Sequence, residues 1–494
     1  MAAPSLTLQQ AVAIVLDAST PSEQLVSSGP SSFLRAVRGL GDSELASFPI
    51  ETLLNSGQLS QPFQAPFAVV LLSARLRSSA TAAHQMFSAT ELATRLLPQT
   101  IQGFNDALAQ FANAIAAFAD RERNPRLAVA PLRNILTRIQ TISRPGHHSL
   151  TKIHTLFLKY AILAKMHSYA LPVVMNPLTA IEKSTHHVSI TDFLLYSFYA
   201  GTLLSALKRY DDAVHHFRVC LAAPSKSGAS AIQVEAWKKG SLVYFLSGPS
   251  SSDSAKLEKG GVARCMSTVV TRVVADESKK KLGEFLKNLE NGKYQDLVGE
   301  VERLTQSLQN GHNLGLARQC INKSLAHRQI LKLTKTYLTL SLPSILSSVS
   351  ASLPPAHQSP AVIRKYLMEL IESGKVAATI DESVDGGGMV TFHDSTSVPG
   401  QGYDFSVLEG KMREVVGIYE RLSEMDRAVG ASKEYLVKVA VVGDKGDRFG
   451  GYGGSSSGMG GLVSGMGSGM YGGASFDSEA AGDDDVLMDD DDMY

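Results

Sequence analysis

A mainly α-helical fold is predicted for this chain: a right-handed solenoid of tetratricopeptide-like helical repeats that leads into a winged helix, followed by C-terminal helices and a disordered tail. Three observations predict it. Apolar residues recur at helical spacing through most of residues 1–440, the connections between these stripes are short and rich in Pro, Gly or Ser, and near residue 330 the period changes to that of short strands. A chain of 494 residues is also too long for one core, so more than one folded unit is expected.

The helical period is plainest in FNDALAQFANAIAAF. Phe104, Leu108, Phe111, Ile115 and Phe118 form one apolar stripe, with Asp106, Gln110 and Asn113 off it and alanines between that let a second helix approach. Similar stripes run through LRNILTRIQTI, LTKIHTLFLKYAILAKM and ITDFLLYSFYAGTLLSALKRY. Helix after helix with short connections predicts stacked antiparallel pairs. In YAGTLLSALKRYDDAVHHFRVCLAAP, Gly201, Tyr210, Ala213, Phe217 and Pro224 approximate the spacing of a tetratricopeptide unit. Gly201 and Ala213 are expected where the two helices come closest, Tyr210 and Phe217 beside them, and Pro224 at the helix end.

Further on, ILKLTKTYLTLSLPSIL (330–346) begins as a helix and turns into a strand at TLSL. SPAVIRKYLMELIESGK follows, with Ser359 as N-cap, Pro360 at the first helical position and Gly374 just past the end. VAATID and MVTFHD read as strands joined by the loop ESVDGGG. Strand, helix, helix, strand, strand is the order of a winged helix. Next, in VLEGKMREVVGIYERLSEMDRAV, Leu408, Met412, Val415, Tyr419, Leu422 and Met425 lie close to a heptad seam, and a lone helix of this kind needs partners to bury it. The predicted organisation is N-terminal helical repeats over 1–140, tetratricopeptide-like repeats over 145–300, a winged-helix region over 300–395, bundle helices over 404–442 and a Gly/Met-rich acidic tail over 443–494. The tail lacks the apolar side chains to order itself.

Composition excludes several function classes. No apolar run approaches the roughly 20 residues that span a bilayer; APFAVVLLSARL is broken by Arg75. The start of the chain lacks a basic region and has Asp17 directly after its apolar patch, so no signal peptide is expected. Three scattered cysteines (Cys220, Cys265, Cys320) do not make a disulfide framework; they fall in helical windows and are read as core fillers in a reducing compartment. Histidines come as adjacent pairs, His147–His148, His186–His187 and His215–His216. Helical neighbours point about 100° apart and chelate poorly, and neither H-E-x-x-H nor H-x-H occurs. The one G-x-G-x-x-G, at Gly467 to Gly472, sits in the tail with no strand before it. No catalytic residue, metal or cofactor is expected.

Nucleic acid is the serious alternative. The formal net charge is zero, but residues 449–494 hold nine acidic and no basic side chains, which leaves residues 1–448 with 47 basic against 38 acidic. A winged helix that reads a groove needs cations on its second helix. Across residues 359–394 there are only Arg364, Lys365 and Lys375, against Glu369, Glu372, Asp381, Glu382, Asp385 and Asp394. The region's other cations, Arg318, Lys323, Arg328, Lys332 and Lys335, lie upstream at mixed spacing and read as a solvated helix face.

Helical repeats that run into a winged helix and end in C-terminal helices resemble the PCI family, whose members are subunits of the proteasome lid, the COP9 signalosome and translation initiation factor three. NGHNLGLARQC, LTKTYLTLSL, IESGKVAATID and GMVTFHD look like a signalosome member, as do FYAGTLLSALKRYDDAVHHFRVCLAAP and EAWKKGSLV. The likeness runs from about 145 to 430 and does not extend to the tail. It implies a non-catalytic scaffold, in the cytoplasm and nucleus, of a complex that removes Nedd8 from cullin–RING ubiquitin ligases. Its partners would be other PCI and metalloprotease-type subunits, and the ligases indirectly. Family precedent has winged helices pack side by side through their sheets while C-terminal helices gather in a bundle. On this chain those interface roles would fall on Thr339, Leu340, Ser341, Val390 and Phe392, and on Leu408, Met412, Val415, Tyr419, Leu422 and Met425. A proteasome lid subunit, or a nucleic-acid-binding PCI protein of the mRNA-export kind, is the alternative.

Overall fold

Helices carry the architecture from residue 42 to the end of the described chain, and one small sheet interrupts them. A computed structural model describes residues 37, 39–47, 64–78, 82–96, 104–142, 148–176, 178, 180–181, 186, 188–225, 228–247, 266–291, 294–310, 313–381, 388–393, 405–433 and 435–437. The disordered tail expected over 443–494, the tip of the ESVDGGG loop and Cys265 lie outside these residues. In order come α1 (Asp42–Ser47), α2 (Gln64–Ser78), α3 (Ala82–Arg95), α4 (Asn105–Arg121), α5 (Arg126–Ile142), α6 (Lys152–Leu163), α7 (His167–Met175), α8 (Ile190–Ala206), α9 (Tyr210–Ala222) and α10 (Ala231–Ser247). They are followed by α11 (Thr268–Ser278), α12 (Lys281–Asn291), α13 (Tyr294–Arg303), α14 (Thr305–Asn310) and α15 (Leu314–Gln319), then a π-helical turn, Cys320–Ser324, and α16 (Leu325–Thr334). The last elements are β1 (Thr339–Ser341), α17 (Leu342–Val349), α18 (Pro360–Glu372), β2 (Ala377–Asp381), β3 (Met389–His393) and α19 (Phe405–Gly430). The chain divides into two units, Met1–Pro399 and Gly400–Tyr494.

The predicted stripes become the core. Phe104, Leu108, Phe111, Ile115 and Phe118 are all buried. APFAVVLLSARL, apolar on every side, becomes α2, which is buried all round as such a helix must be. Gly201 lies so close to Phe217 that a Cβ there would stand 2.9 Å from the ring. A Cβ added to Gly240 of α10 would stand 3.0 Å from the Phe217 Cβ, so Phe217 sits between two glycines, one on α8 and one on α10.

The helix hairpins close in one repeated way. Arg123, Lys165 and Lys208, evenly placed along the chain after α4, α6 and α8, each take positive φ. In each case the following amide reaches back to a carbonyl of the last turn: Asn124 to Ala119, Met166 to Ala161 and Arg209 to Leu204. This is the Schellman closure, usually built on glycine. Here basic side chains occupy the left-handed position, which hides it from sequence reading. After α18 it is visible, because Gly374 (φ +67) fills the position as expected.

Three cores follow one another. The first spans α1 to α10, the second runs from α9 to α16, and the third holds α16 to β3. α10 faces two of them, with Ala236 and Val243 in the first and Trp237, Leu242 and Phe245 in the second. α16 makes the next transfer between consecutive residues, Leu325 to the second core and Ala326 to the third. The third core lies under a sheet of order β1–β3–β2, antiparallel throughout. The strand, helix, helix, strand, strand order is the one expected. Ser359 caps α18 by accepting from the Val362 amide, and Ser341, the last residue of β1, caps α17 by accepting from the Ser344 amide at 3.3 Å.

Candidate protein-interaction surface

The sheet has one face spoken for and one face open. Register pairs Thr339 with Thr391 and Leu340 with Val390 across β1–β3, and Thr379 with Thr391 and Ala378 with Phe392 across β2–β3. Side chains alternate across a strand, so Leu340, Val390, Phe392, Ala378 and Ile380 share the inner face and contribute to the third core. The other parity puts Thr339, Thr391 and Thr379 in one row across three strands, flanked by Ser341, Met389, Asp381 and His393. Thr379 Oγ1 and His393 Nε2 are 3.0 Å apart on that outer face.

This geometry corrects two of the residues expected at an interface. Val390 is 0% and Phe392 6% exposed, so both side chains serve the domain's own core and neither reaches a partner. The residues available beside them are Met389, Thr391 and His393. Period-2 parity in MVTFH carried that information, because a strand over a core puts its large apolar residues inward and the alternating set outward. Thr339, Leu340 and Ser341 do lie on an edge strand. Leu338 accepts from the Phe392 amide and the Leu342 amide donates to Gly388, so the even-numbered residues bond to β3 and the backbones of Thr339 and Ser341 face away from it. Just before β1, Tyr337 and Leu338 are exposed, Leu338 by 79%.

α19 shows the opposite of a core helix. Met412, Val415, Tyr419, Leu422 and Met425 are 57 to 71% exposed, and Val416 and Val429 extend the same apolar character. Leu408 falls on the same helix four residues before Met412. A helix of 26 residues is about 39 Å long. Contiguous exposed apolar surface on that scale marks a binding surface.

Cations near the sheet are engaged within the fold. Lys323 pairs with Glu369 of α18 at 2.5 Å, with His327 Nε2 at 3.7 Å from the same carboxylate. Arg328 donates to the carbonyls of Tyr244 and Phe245. Arg318, Lys332 and Lys335 remain exposed. Cys220 and Cys320 are buried, and burial pushes both thiols up to about 12, which makes them poor nucleophiles. Among the described residues no group of three or more His, Cys, Asp or Glu is arranged to hold a metal ion. None of the helices described is long and apolar enough to cross a membrane.

The histidines do converge. His154, 1% exposed, lies edge-on to Tyr196 at 6.0 Å between ring centroids, and Tyr196 lies against His216 at 6.3 Å. Burial pushes His154 down to about 3, helped by the neighbouring His186 and His148, and burial likewise takes His216 down to about 4. His148, His186 and His216, one from each His–His pair, thus gather around His154 and Tyr196.

Residues 53–252 match the family model described as the N-terminal helical repeats of COP9 signalosome complex subunit 3. A curated relative, COP9 signalosome complex subunit 3 of Dictyostelium discoideum, is 32% identical over 318 residues, which cover 64% of this chain and 71% of that protein. The chain belongs to the COP9 signalosome subunit 3 family. The protein of the same name from Arabidopsis thaliana is 27% identical over 320 residues, covering 64% of this chain and 67% of its own length. The helical repeats are therefore shown, and the matched residues hold α2 to α10. The family match on 53–252 ends before the sheet and α19, so those are read here from their own geometry.

Proposed function

We propose that the chain is a scaffold subunit of the COP9 signalosome, the complex that removes Nedd8 from cullin–RING ubiquitin ligases, and that it contributes position rather than chemistry. Membership of the subunit 3 family supports the complex. The observation that carries the scaffold role is α19, whose apolar seam from Met412 to Met425 is left exposed on a helix that is stable only when packed. Residues 300–395 act as the PCI winged-helix region, with the β1 edge and the outer row of Thr339, Thr391 and Thr379 turned to a neighbouring subunit. The seam joins helices from other subunits in a bundle. The reading carries with it a location in the cytoplasm and nucleus. The cations of Arg328 and Lys323 are bound up in the fold, which weighs against a nucleic-acid reading.

Affinity purification of the full chain from cells tests the reading. Recovery of other PCI subunits together with a metalloprotease subunit and deneddylating activity is expected. Recovery of proteasomal ATPases in their place overturns it.

A further inference from the structure

The last carbonyls of an α-helix have no partner within the helix and carry the negative end of its dipole. On α10 these groups meet donors from three other segments. Ser324 Oγ donates to the carbonyl of Phe245, and further back along the helix, before these last four carbonyls, Cys320 Sγ lies 3.2 Å from the Leu242 carbonyl. Arg328 donates through Nη2 to Tyr244 and through Nε to Phe245, at 3.3 and 3.4 Å, and its guanidinium lies 4.3 Å from the centre of the Phe245 ring. Lys375, in the turn between α18 and β2, reaches across with Nζ to the carbonyl of Ser247. Cys320 and Ser324, four residues apart and so on one face, begin and end the π-helical turn that runs beside α10.

Arg328 sits on α16 between Ala326 and Ile330 of the third core and Lys375 directly precedes Val376 of that core, whereas α10 is built into the first and second cores, the second of which it shares with Cys320. The Arg328 and Lys375 contacts therefore join two bodies whose apolar cores are distinct. We propose that the carboxyl end of α10 is a socket that sets the orientation of the sheet-bearing module on the repeat array, with Arg328 and Lys375 as its charged positioning residues. Two cations, from α16 and from the α18–β2 turn, hold the same helix terminus from two points, which fixes an angle as well as a distance. Neither is a surface charge free for phosphate, because each is committed to α10. The inference rests on the contacts of Met1–Pro399 alone and stands whichever complex the chain joins.

Trp237, the chain's one tryptophan, lies in α10 and is 1% exposed, so it reports on this helix directly. The test compares the full chain with the double variant Arg328→Met/Lys375→Met, by hydrogen exchange of the amides at 243–247 and of β2–β3, and by Trp237 fluorescence across a urea series. In the native chain the sheet amides and Trp237 are expected to lose protection together. In the double variant, exchange at 243–247 should rise by about tenfold, the scale of a lost charged hydrogen bond, and the sheet should open at lower urea than Trp237. Coincident transitions with unchanged exchange at 243–247 overturn the proposal, as do separate transitions in the native chain. If the double variant does not fold, Lys375→Gln removes one exposed cation and no core atom. A roughly threefold rise at 243–247 is then expected, and no rise overturns it.

Discussion

α4 and α19 carry the same kind of sequence and come to opposite ends. Both repeat apolar residues at intervals of three and four. In α4 the whole stripe is buried, with Phe111 and Ile115 at 0% exposure, whereas in α19 Val415 is 64% and Tyr419 71% exposed. Amphipathic spacing states that a face must be covered and does not state by what. In the repeat array the cover is the next helix of the same chain, whereas in α19 the seam residues stand exposed. The contrast separates residues that hold the fold from residues that offer it to others, and substitutions can break or sharpen it.

The largest effect is expected within the array. Phe111→Ala in α4 removes a fully buried ring and should destabilise the chain by about 3–5 kcal/mol in urea unfolding; a loss below about 1 kcal/mol would mean that α4 is not the core helix described. Next comes the close approach beneath Phe217. Gly201→Val places atoms inside the 2.9 Å space and should cost about 1–3 kcal/mol, while Ala213→Gly nearby, which adds no volume, should cost about 1 kcal/mol through helix propensity.

Acid should act on the array through its histidines. His154 and His216 are held below 6.5 in the fold, so the unfolded chain takes up protons first. Their contribution is complete above about pH 6.5 and is lost as the pH falls toward 4, at about 1.4 kcal/mol per pH unit for each neutral group. His154→Gln should flatten the fall in melting temperature between pH 6.5 and 5; an unchanged slope would show that His154 is not the group being protonated. Loss of one cap is smaller. Ser359→Ala should cost about 1 kcal/mol, with Ser359→Asp retaining the native value, because the Val362 amide loses its acceptor in the first and keeps one in the second.

The smallest effect on stability, and the largest on assembly, belongs to α19. Leu408→Asp/Met412→Asp/Val415→Asp should leave urea unfolding of the isolated chain within about 0.5 kcal/mol, as surface changes do, and should abolish co-purification of partner subunits. Assembly that survived these changes would remove α19 from the interface. A large loss of stability would instead return it to the fold.

How much was legible varies with the local physics. The stripe of α4, the caps at Ser359 and Gly374, and the use of Gly201 at a close helix approach were legible because each rests on one residue type whose size or backbone freedom has a single use there; that the residue met at Gly201 is Phe217 was not. The Schellman closures at Arg123, Lys165 and Lys208 were not, because long basic residues occupy a position that glycine usually signals. At the sheet, the family resemblance put Val390 and Phe392 at the interface although alternation turned them inward. Thr339 was named, but Thr391 and Thr379 escaped notice because the three lie on separate strands and become one row only through register.

The sequence by itself determined the helical character of the array, the stripes of α4, α5, α6 and α8, the strand–helix–helix–strand–strand segment and the existence of an apolar face on α19, since all of these follow from periodicity and capping between near neighbours. Tertiary structure decided which faces meet. It put α10 between two cores, drew His148, His154, His186 and His216 from four places into one neighbourhood, and turned Arg328 and Lys375 onto the end of a helix some eighty to one hundred and thirty residues earlier. Those outcomes depend on which surfaces come within a few ångströms after the chain has packed, and no local pattern encodes that distance.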